Sequence, residues 1–263
     1  MCEVAFPELI KEQLDQMSKK SLLFSLMPSL QERRTGLVEY MDDPDCDPGL
    51  LKNTYRNFAW SNRLLSRWRM AYKRYLLPVM RSLERPTTIL DVGCGGGDVP
   101  VLLKRWAGRD NIEARITAID PDNRAIQFAA GQWYKEHIRF LSASTGDLVK
   151  AGEQYDIVIS NHLMHHLLPA DLNKVLSESD QLAGSLVLFN DIERDVIAYL
   201  TFRVMAVPFS RNSFNYEDGL ISIRRSFTRN ELSGIIPPGW KVHSHFPYRL
   251  FLVRHKINPA VWI

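Results

Sequence analysis

The sequence predicts an α/β protein built on a mostly parallel sheet, and two observations carry that prediction. Residues 88–100 read TILDVGCGGGDVP, an apolar run (Ile89, Leu90, Val92) that ends in a glycine loop and opens a helix from Val99 to Trp106. Four further strand-like runs then follow in chain order, at residues 115–120, 138–144, 155–160 and 184–191. A strand, a tight glycine turn and a helix leave a ligand-sized gap at the turn, because glycine accepts positive φ and lets backbone N–H groups approach closely.

The acids around that loop decide which ligand fits. A dinucleotide fingerprint reads G-x-G-x-x-G and sets a pyrophosphate on the helix N-terminus. Here Gly93, Gly95 and Gly97 are followed by Asp98, where the third spaced glycine belongs. Asp98 reads as the N-cap of the helix, with Pro100 just inside it. A carboxylate there occupies the free N–H groups and repels phosphate, by roughly 4 kcal/mol at about 4 Å and an effective dielectric of 20. A ligand with cationic groups and no phosphate is favoured.

The segment from Asp91 to Asp98, DVGCGGGD, resembles the first motif of the class I S-adenosylmethionine (SAM)-dependent methyltransferases, an acid followed by G-x-G-x-G. SAM carries a sulfonium, an ammonium and no phosphate. The resemblance is strong over about residues 85–192, moderate beyond them, and includes the ubiquinone-pathway enzymes. It implies a Rossmann-like seven-stranded, mostly parallel sheet with helices on both faces and an antiparallel last strand. The implied cofactor set is Asp91, Gly93, Cys94, Gly95, Gly97 and Asp98 at the loop, and Asp120 for the ribose hydroxyls with Pro121 beside it. Ser144 and Thr145 follow for the adenine, and Asn161 and His162 after the fourth strand. Ser144 stands where the family often has an acid, so adenine recognition falls to its hydroxyl and the Thr145 backbone, or to Asp147 folding in.

The bulk properties fit an ordinary globular enzyme. A chain of 263 residues can hold one large α/β domain, and a net charge of +3 does not by itself imply nucleic acid. Cys2, Cys46 and Cys94 form no C-x-x-C pair, so no disulfide framework or zinc ribbon is expected. No run of 18 apolar residues occurs, and charges interrupt the start of the chain, which points to a cytoplasmic location.

Residues 1–83 read as a helical N-terminal extension and residues 84–263 as the methyltransferase domain. The extension has helical periodicity over residues 7–27, then an acidic turn at 42–48. That turn departs from a calcium loop through its two prolines, late glycine and Thr54 at the twelfth place, and reads as a solvated linker. A single long helix is expected within residues 49–83, with Leu51, Tyr55, Phe58, Leu65, Trp68, Tyr72 and Leu76 on one face. It carries eight bases and no acid, which reads as a solvated face, or at most as peripheral contact with an anionic membrane. In related methyltransferases the segment before the first strand often covers the site, so Tyr55 and Arg63 are candidates to reach the ligand. Residues 193–227 read as an insertion over the strand carboxyl ends that shapes the acceptor pocket. Residues 228–231, TRNE, form a capping box, and two closing strands flank Pro247.

The acceptor chemistry falls to residues 161–167, NHLMHHL. A base is needed only where the acceptor carries a proton, as a phenol or alcohol does, and imidazole suits that work. His165 and His166 are the catalytic candidates; the bland alternative is that they cap or brace the turn. No metal is assigned, although His-x-x-His-His is compatible with a transition-metal ligand set. The acceptor is expected to be a small, aromatic or quinone-like molecule methylated at oxygen, with no nucleic-acid partner. Two other classes remain open: an NAD(P)-dependent oxidoreductase, against which Asp98 speaks, and a non-catalytic SAM-fold binding protein.

Overall fold

A computed structural model describes residues 29–206 and 212–256. The helix expected over residues 7–27 lies outside them. The chain divides into two compact units, Met1–Glu32 and Arg33–Ile263, and the second holds all that follows. Its helices are α1 (Pro48–Leu65), α2 (Trp68–Ala71), α3 (Leu77–Ser82), α4 (Asp98–Arg109), α5 (Asn123–Gln132), α6 (Thr145–Lys150), α7 (Pro169–Leu182), α8 (Val196–Met205), α9 (Asn215–Arg225) and α10 (Arg229–Ile235). Its strands are β1 (Thr87–Val92), β2 (Ala114–Asp120), β3 (Arg139–Ser142), β4 (Tyr155–Asn161), β5 (Ala183–Ile192), β6 (Lys241–His245) and β7 (Arg249–His255).

The strands form one sheet in the order β3-β2-β1-β4-β5-β7-β6. Strands β1 to β5 are parallel, and β7 runs antiparallel between β5 and β6. This is the seven-stranded arrangement the resemblance implies. The third strand is shorter than the run 138–144, because Ser144 leaves it to cap α6.

Central strands buried on both faces need apolar residues at every position, and the two-residue period assigns them to opposite cores. Ile89, Ile157, Ile159, Leu186, Leu188, Phe251 and Val253 face one core with Trp68, Tyr72, Leu76, Leu103 and Trp106. Leu90, Val158, Val187, Phe189, Leu250 and Leu252 face the other, with Leu172 and Leu176 of α7 and Leu232 of α10. The strand order reverses direction between β1 and β4, and open α/β sheets characteristically bind ligands in the crevice outside the carboxyl ends of the strands at such a switch point.

The single helix expected within residues 49–83 is broken. α1 stops at Leu65, Arg67 adopts a left-handed φ of 61°, and α2 restarts at Trp68. A π-helical stretch, Tyr72–Leu76, then leads into α3. Tertiary bonds hold the break: Trp68 Nε1 donates to Asn161 of β4, and Asn190 of β5 donates to the Ser66 carbonyl. The expected apolar face is accordingly split, and Leu65 beside the break is exposed. All eight bases of the segment point to solvent. The acidic turn does more than link, since Asp47 caps α1 by accepting the Leu50 N–H.

At the amino end of the sheet, Asp156 of β4 is buried and accepts the Thr88 N–H, the Thr88 hydroxyl and two N–H groups of Arg85. These donors outweigh the burial that opposes ionisation and hold its carboxyl below the usual range. Asp156→Ala strands the Thr88 amide and should cost about 1–3 kcal/mol; urea unfolding that leaves the variant at wild-type stability would contradict this.

Candidate active site at the strand carboxyl ends

The glycine loop is shaped by bonds to β2. The Gly93 and Cys94 amides both donate to the Ile119 carbonyl, Gly97 donates to Cys94, and the Gly95 amide donates to the Asp120 carboxylate at 2.9 Å. Gly93, Gly95 and Gly97 all have positive φ. At Gly97 (φ 76°) a Cβ would also lie 2.8 Å from the Phe140 ring, so both backbone and space demand glycine. On its outer side the loop meets Tyr55, whose Cβ would lie 2.9 Å from a Cβ on Gly96. Trp133 Nε1 donates to the Gly96 carbonyl. Cys94 is buried, and burial pushes its thiol well above the usual range.

Three acids surround this loop. Asp91, at the end of β1, is 1% exposed, and its Oδ1 has no hydrogen-bond partner. Burial, together with the charges of Asp98 and Asp120, pushes its carboxyl well up. Asp98 is not the N-cap expected from the sequence. Gly97 takes that position with a left-handed backbone, and Asp98 is the first helical residue. The shift follows from the loop, whose last residue needs positive φ. Burial raises Asp98 to about 6, against the opposing pull of the Asn62 side chain and the Asp98 and Val99 amides. Its Oδ2 is also buried without a partner. Asp120 accepts the Gly95 and Asp122 amides, and burial raises its pKa. Pro121 beside it is exposed.

After β3, Ser144 caps α6 and shares a reciprocal capping box with Asp147. Asp147 therefore folds back onto Ser144. The Thr145 hydroxyl is taken by Glu178 of α7. Neither hydroxyl is idle.

A strap formed by residues 37–47 crosses the strand ends and is latched on two sides. Arg124 of α5 donates to the carbonyls of Met41, Asp43 and Pro44. On the other side Asp218 of α9 accepts the Tyr40 and Met41 amides, and Arg225 donates to the Leu37 carbonyl. Burial, with the charges of Glu39 and Asp42 adding to it, raises Asp218 to about 7 despite those two amides. Within residues 193–227, α9 meets the turn after β4 through Arg225, which donates to the His165 and His166 carbonyls. Of the two residues suggested to reach a ligand, Tyr55 packs on the loop and Phe128, and Arg63 is exposed.

The turn after β4 carries a polar network. Asn161 accepts from Trp68 and Asn190 and donates to Asn62, which links it to Asp98. His162 has a left-handed φ of 58°. Its Nε2 lies 2.7 Å from an Arg249 Nη1, which donates to it, and burial plus that guanidinium push its pKa down to about 3. Met164–His166 forms a single 3₁₀ turn. His165 is 2% exposed, with Nδ1 2.8 Å from Asp191 and Nε2 3.2 Å from Glu39. Burial opposes its charge, but the Asp191 and Glu39 carboxylates override this and raise it to about 10. Glu39, also opposed by burial, is pulled to about 2 by His165 and His166. His166 is partly exposed, with Nδ1 3.1 Å from Asp42 and Nε2 3.8 Å from Glu39.

The backbone of this turn is fixed by two arginines. Arg33 donates to the His165 and Leu167 carbonyls, and Arg225 to those of His165 and His166. Sequence reasoning placed the histidines together but not Glu39, Asp191, Arg249 or the two arginines. The one local signal was the polar pair Asn190-Asp191 closing an apolar strand.

Comparison with known proteins agrees with this geometry. Residues 89–183 match a family described as "Methyltransferase domain". The chain is 30% identical over 117 residues to a ribosomal protein L11 methyltransferase of Thermotoga maritima, covering 44% of this chain and 42% of that protein. It is 24% identical over 172 residues to the protein of that name from Campylobacter fetus, covering 64% and 55%. The chain thus spans about half or less of these relatives' length. Among solved structures, the plantazolicin methyltransferase BpumL in complex with SAH superposes with a TM-score of 0.55 at 14% identity, covering 80% of this chain and 95% of that one. Its complex with SAH and a triazolic desmethylPZN analog gives 0.57 at 15%, covering 82% and 93%. Residues 89–183 thus match a methyltransferase domain family, and the seven-stranded fold that carries them is similar to that of the plantazolicin methyltransferase BpumL.

Proposed function

We propose that the protein transfers a methyl group from SAM to a small, aromatic or quinone-like acceptor, at oxygen. One observation carries the cofactor reading. Asp91 Oδ1 and Asp98 Oδ2 are buried carboxylate oxygens without a hydrogen-bond partner, beside a loop whose glycines leave room for a ligand. An unpaired buried carboxylate is costly, and a cation without phosphate relieves it. Asp91 and Asp98 would meet the ammonium of SAM, Gly93 to Gly97 its methionine part, and Asp120 the ribose hydroxyls beside Pro121. Ser144 and Thr145 would border the adenine, and Asn161 and His162 the region near the sulfur. When bound, SAM supplies an electrophilic methyl on a sulfonium.

The chain's own task is then to hold the acceptor in line and keep water out. The strap 37–47, α1 and α9 would form the walls of that cavity. His165 and His166 are the pair we assign to the acceptor proton, His166 as the group able to take it and His165, held charged by Asp191 and Glu39, as the group that positions it. His166 is the more accessible of the two, and His165 is held from both sides by buried carboxylates. The acceptor at oxygen is supported by this need for a proton-handling pair, since a thioether or tertiary amine acceptor would require none.

Calorimetry should detect one molecule of S-adenosylhomocysteine per chain and no NAD(P)H. Asp120→Ala should abolish the heat of binding; the reverse preference would point to an oxidoreductase. SAM affinity should fall about tenfold per pH unit below about 6, where Asp98 takes up a proton and loses its attraction for the cation. An affinity that stays flat between pH 5 and 7 would remove Asp98 from the site. Labelled SAM offered with a panel of phenols should yield methyl ethers, whereas transfer only to RNA or protein would overturn the small-acceptor reading.

A further inference from the structure

Glu39, His165 and His166 converge in a way that an ordinary ion pair does not require. The Nε2 atoms of both histidines point to the same carboxylate, His165 at 3.2 Å from Oε1 and His166 at 3.8 Å from Oε2. One ligand atom from each residue lies within 4.8 Å of the other two. Two nitrogen or oxygen ligands at about 2.0–2.2 Å from one ion lie roughly 3–3.5 Å apart; the His165–Glu39 distance lies in that range, and the partly exposed His166 ring has to close by a few tenths of an ångström to share the ion. The far nitrogen of each histidine is also held by a carboxylate, Nδ1 of His165 by Asp191 at 2.8 Å and Nδ1 of His166 by Asp42 at 3.1 Å. Metal-bound histidines characteristically give their second nitrogen to a carboxylate, which fixes the tautomer and aims the other lone pair. His165 Nε2 is fully buried and has no hydrogen-bond partner of proper geometry.

We propose that Glu39, His165 and His166 bind one divalent transition-metal ion, of the class that imidazole and carboxylate ligands favour, such as Zn²⁺. The site is preorganised. Arg33 and Arg225 fix the backbone of both histidines, and the Ser222 hydroxyl donates to Glu39 Oε1. Three protein ligands leave a coordination position open, the pattern of a catalytic metal site. The neighbouring trio His162, His165 and Asp191 is a weaker alternative. Arg249 already occupies His162 Nε2 with a positive charge, and Asp191 is spent on His165 and the Ile192 amide. An acceptor hydroxyl in the open position would lose its proton more readily, so the histidine pair would act on that proton through the ion. That role rests on the methyl-transfer reading, whereas ion binding does not.

The test uses the full chain stripped with a chelator and titrated with Co²⁺ and then Zn²⁺, with neither SAM nor acceptor present. One equivalent of Co²⁺ should bind with visible ligand-field absorption, and one equivalent of Zn²⁺ should displace it. His166→Ala, at a partly exposed position, should lose the absorption. Asp42→Asn should weaken Zn²⁺ binding about 10–100-fold while leaving the melting temperature unchanged. His162→Asn, which tolerates the left-handed backbone, should bind as wild type. Substoichiometric binding, or binding untouched by both His166→Ala and Asp42→Asn, would overturn the proposal, as would loss of the ion in His162→Asn alone. A protein that binds the ion but transfers no methyl group keeps this inference and loses the other.

Discussion

The pairing of Asp191 with His165 is the contact on which the rest of the site depends. Asp191 ends β5, and its carboxylate accepts the His165 amide, His165 Nδ1 and the Ile192 amide. One buried carboxylate thereby ties the end of a central strand to the turn that follows its neighbour. His165 passes the constraint on to Glu39, and Glu39 anchors the strap that crosses the strand ends. Removing one member of such a buried pair leaves an uncompensated charge, a loss of about 3–5 kcal/mol. The donors around Asp191 outweigh its burial and keep it ionised, with its pKa well below the ordinary carboxylate range.

Three histidines within five residues end up in different chemical environments. His162 is held neutral by burial and by Arg249, and His165 is held charged by two carboxylates. His166 stands at the edge, between Glu39 and Asp42. Identical side chains on one short turn are thus separated in function by partners from β5, β7, and the strap. Preorganisation of this kind is what a reacting site needs, because groups already fixed require no reorganisation during the reaction.

The other half of the crevice works by leaving charge unsatisfied. Asp91 and Asp98 are buried, Asp91 close to Asp120, and among the described residues no cationic side chain pairs with either of the two orphaned oxygens. A fold tolerates such a cluster only where bound cations or protons offset it. The same crevice therefore holds an acid-rich wall at the glycine loop and a histidine-rich wall at β4 and β5.

The sequence by itself determined the sheet. Alternating apolar residues in β1, β4 and β5 set both cores, and the glycines of residues 93–97 set the loop, because those signals are local and repeat with the strand period. It also placed Asp91, Asp120 and the histidine turn at strand ends and Asp98 at the start of the helix after the loop. The N-cap at Asp98 and the unbroken helix over residues 49–83 were misread. In both cases a distant partner or a backbone demand outranked local propensity: positive φ at Gly97, and Asn161 and Asn190 at the helix break. Only the tertiary structure decided which charges meet the histidines. Glu39, Asp191 and Arg249 lie 126, 26 and 84 residues from His165, and no periodicity joins them. Proton affinity and metal-binding capacity depend on contacts of that kind, made by burial across the sheet and not along the chain.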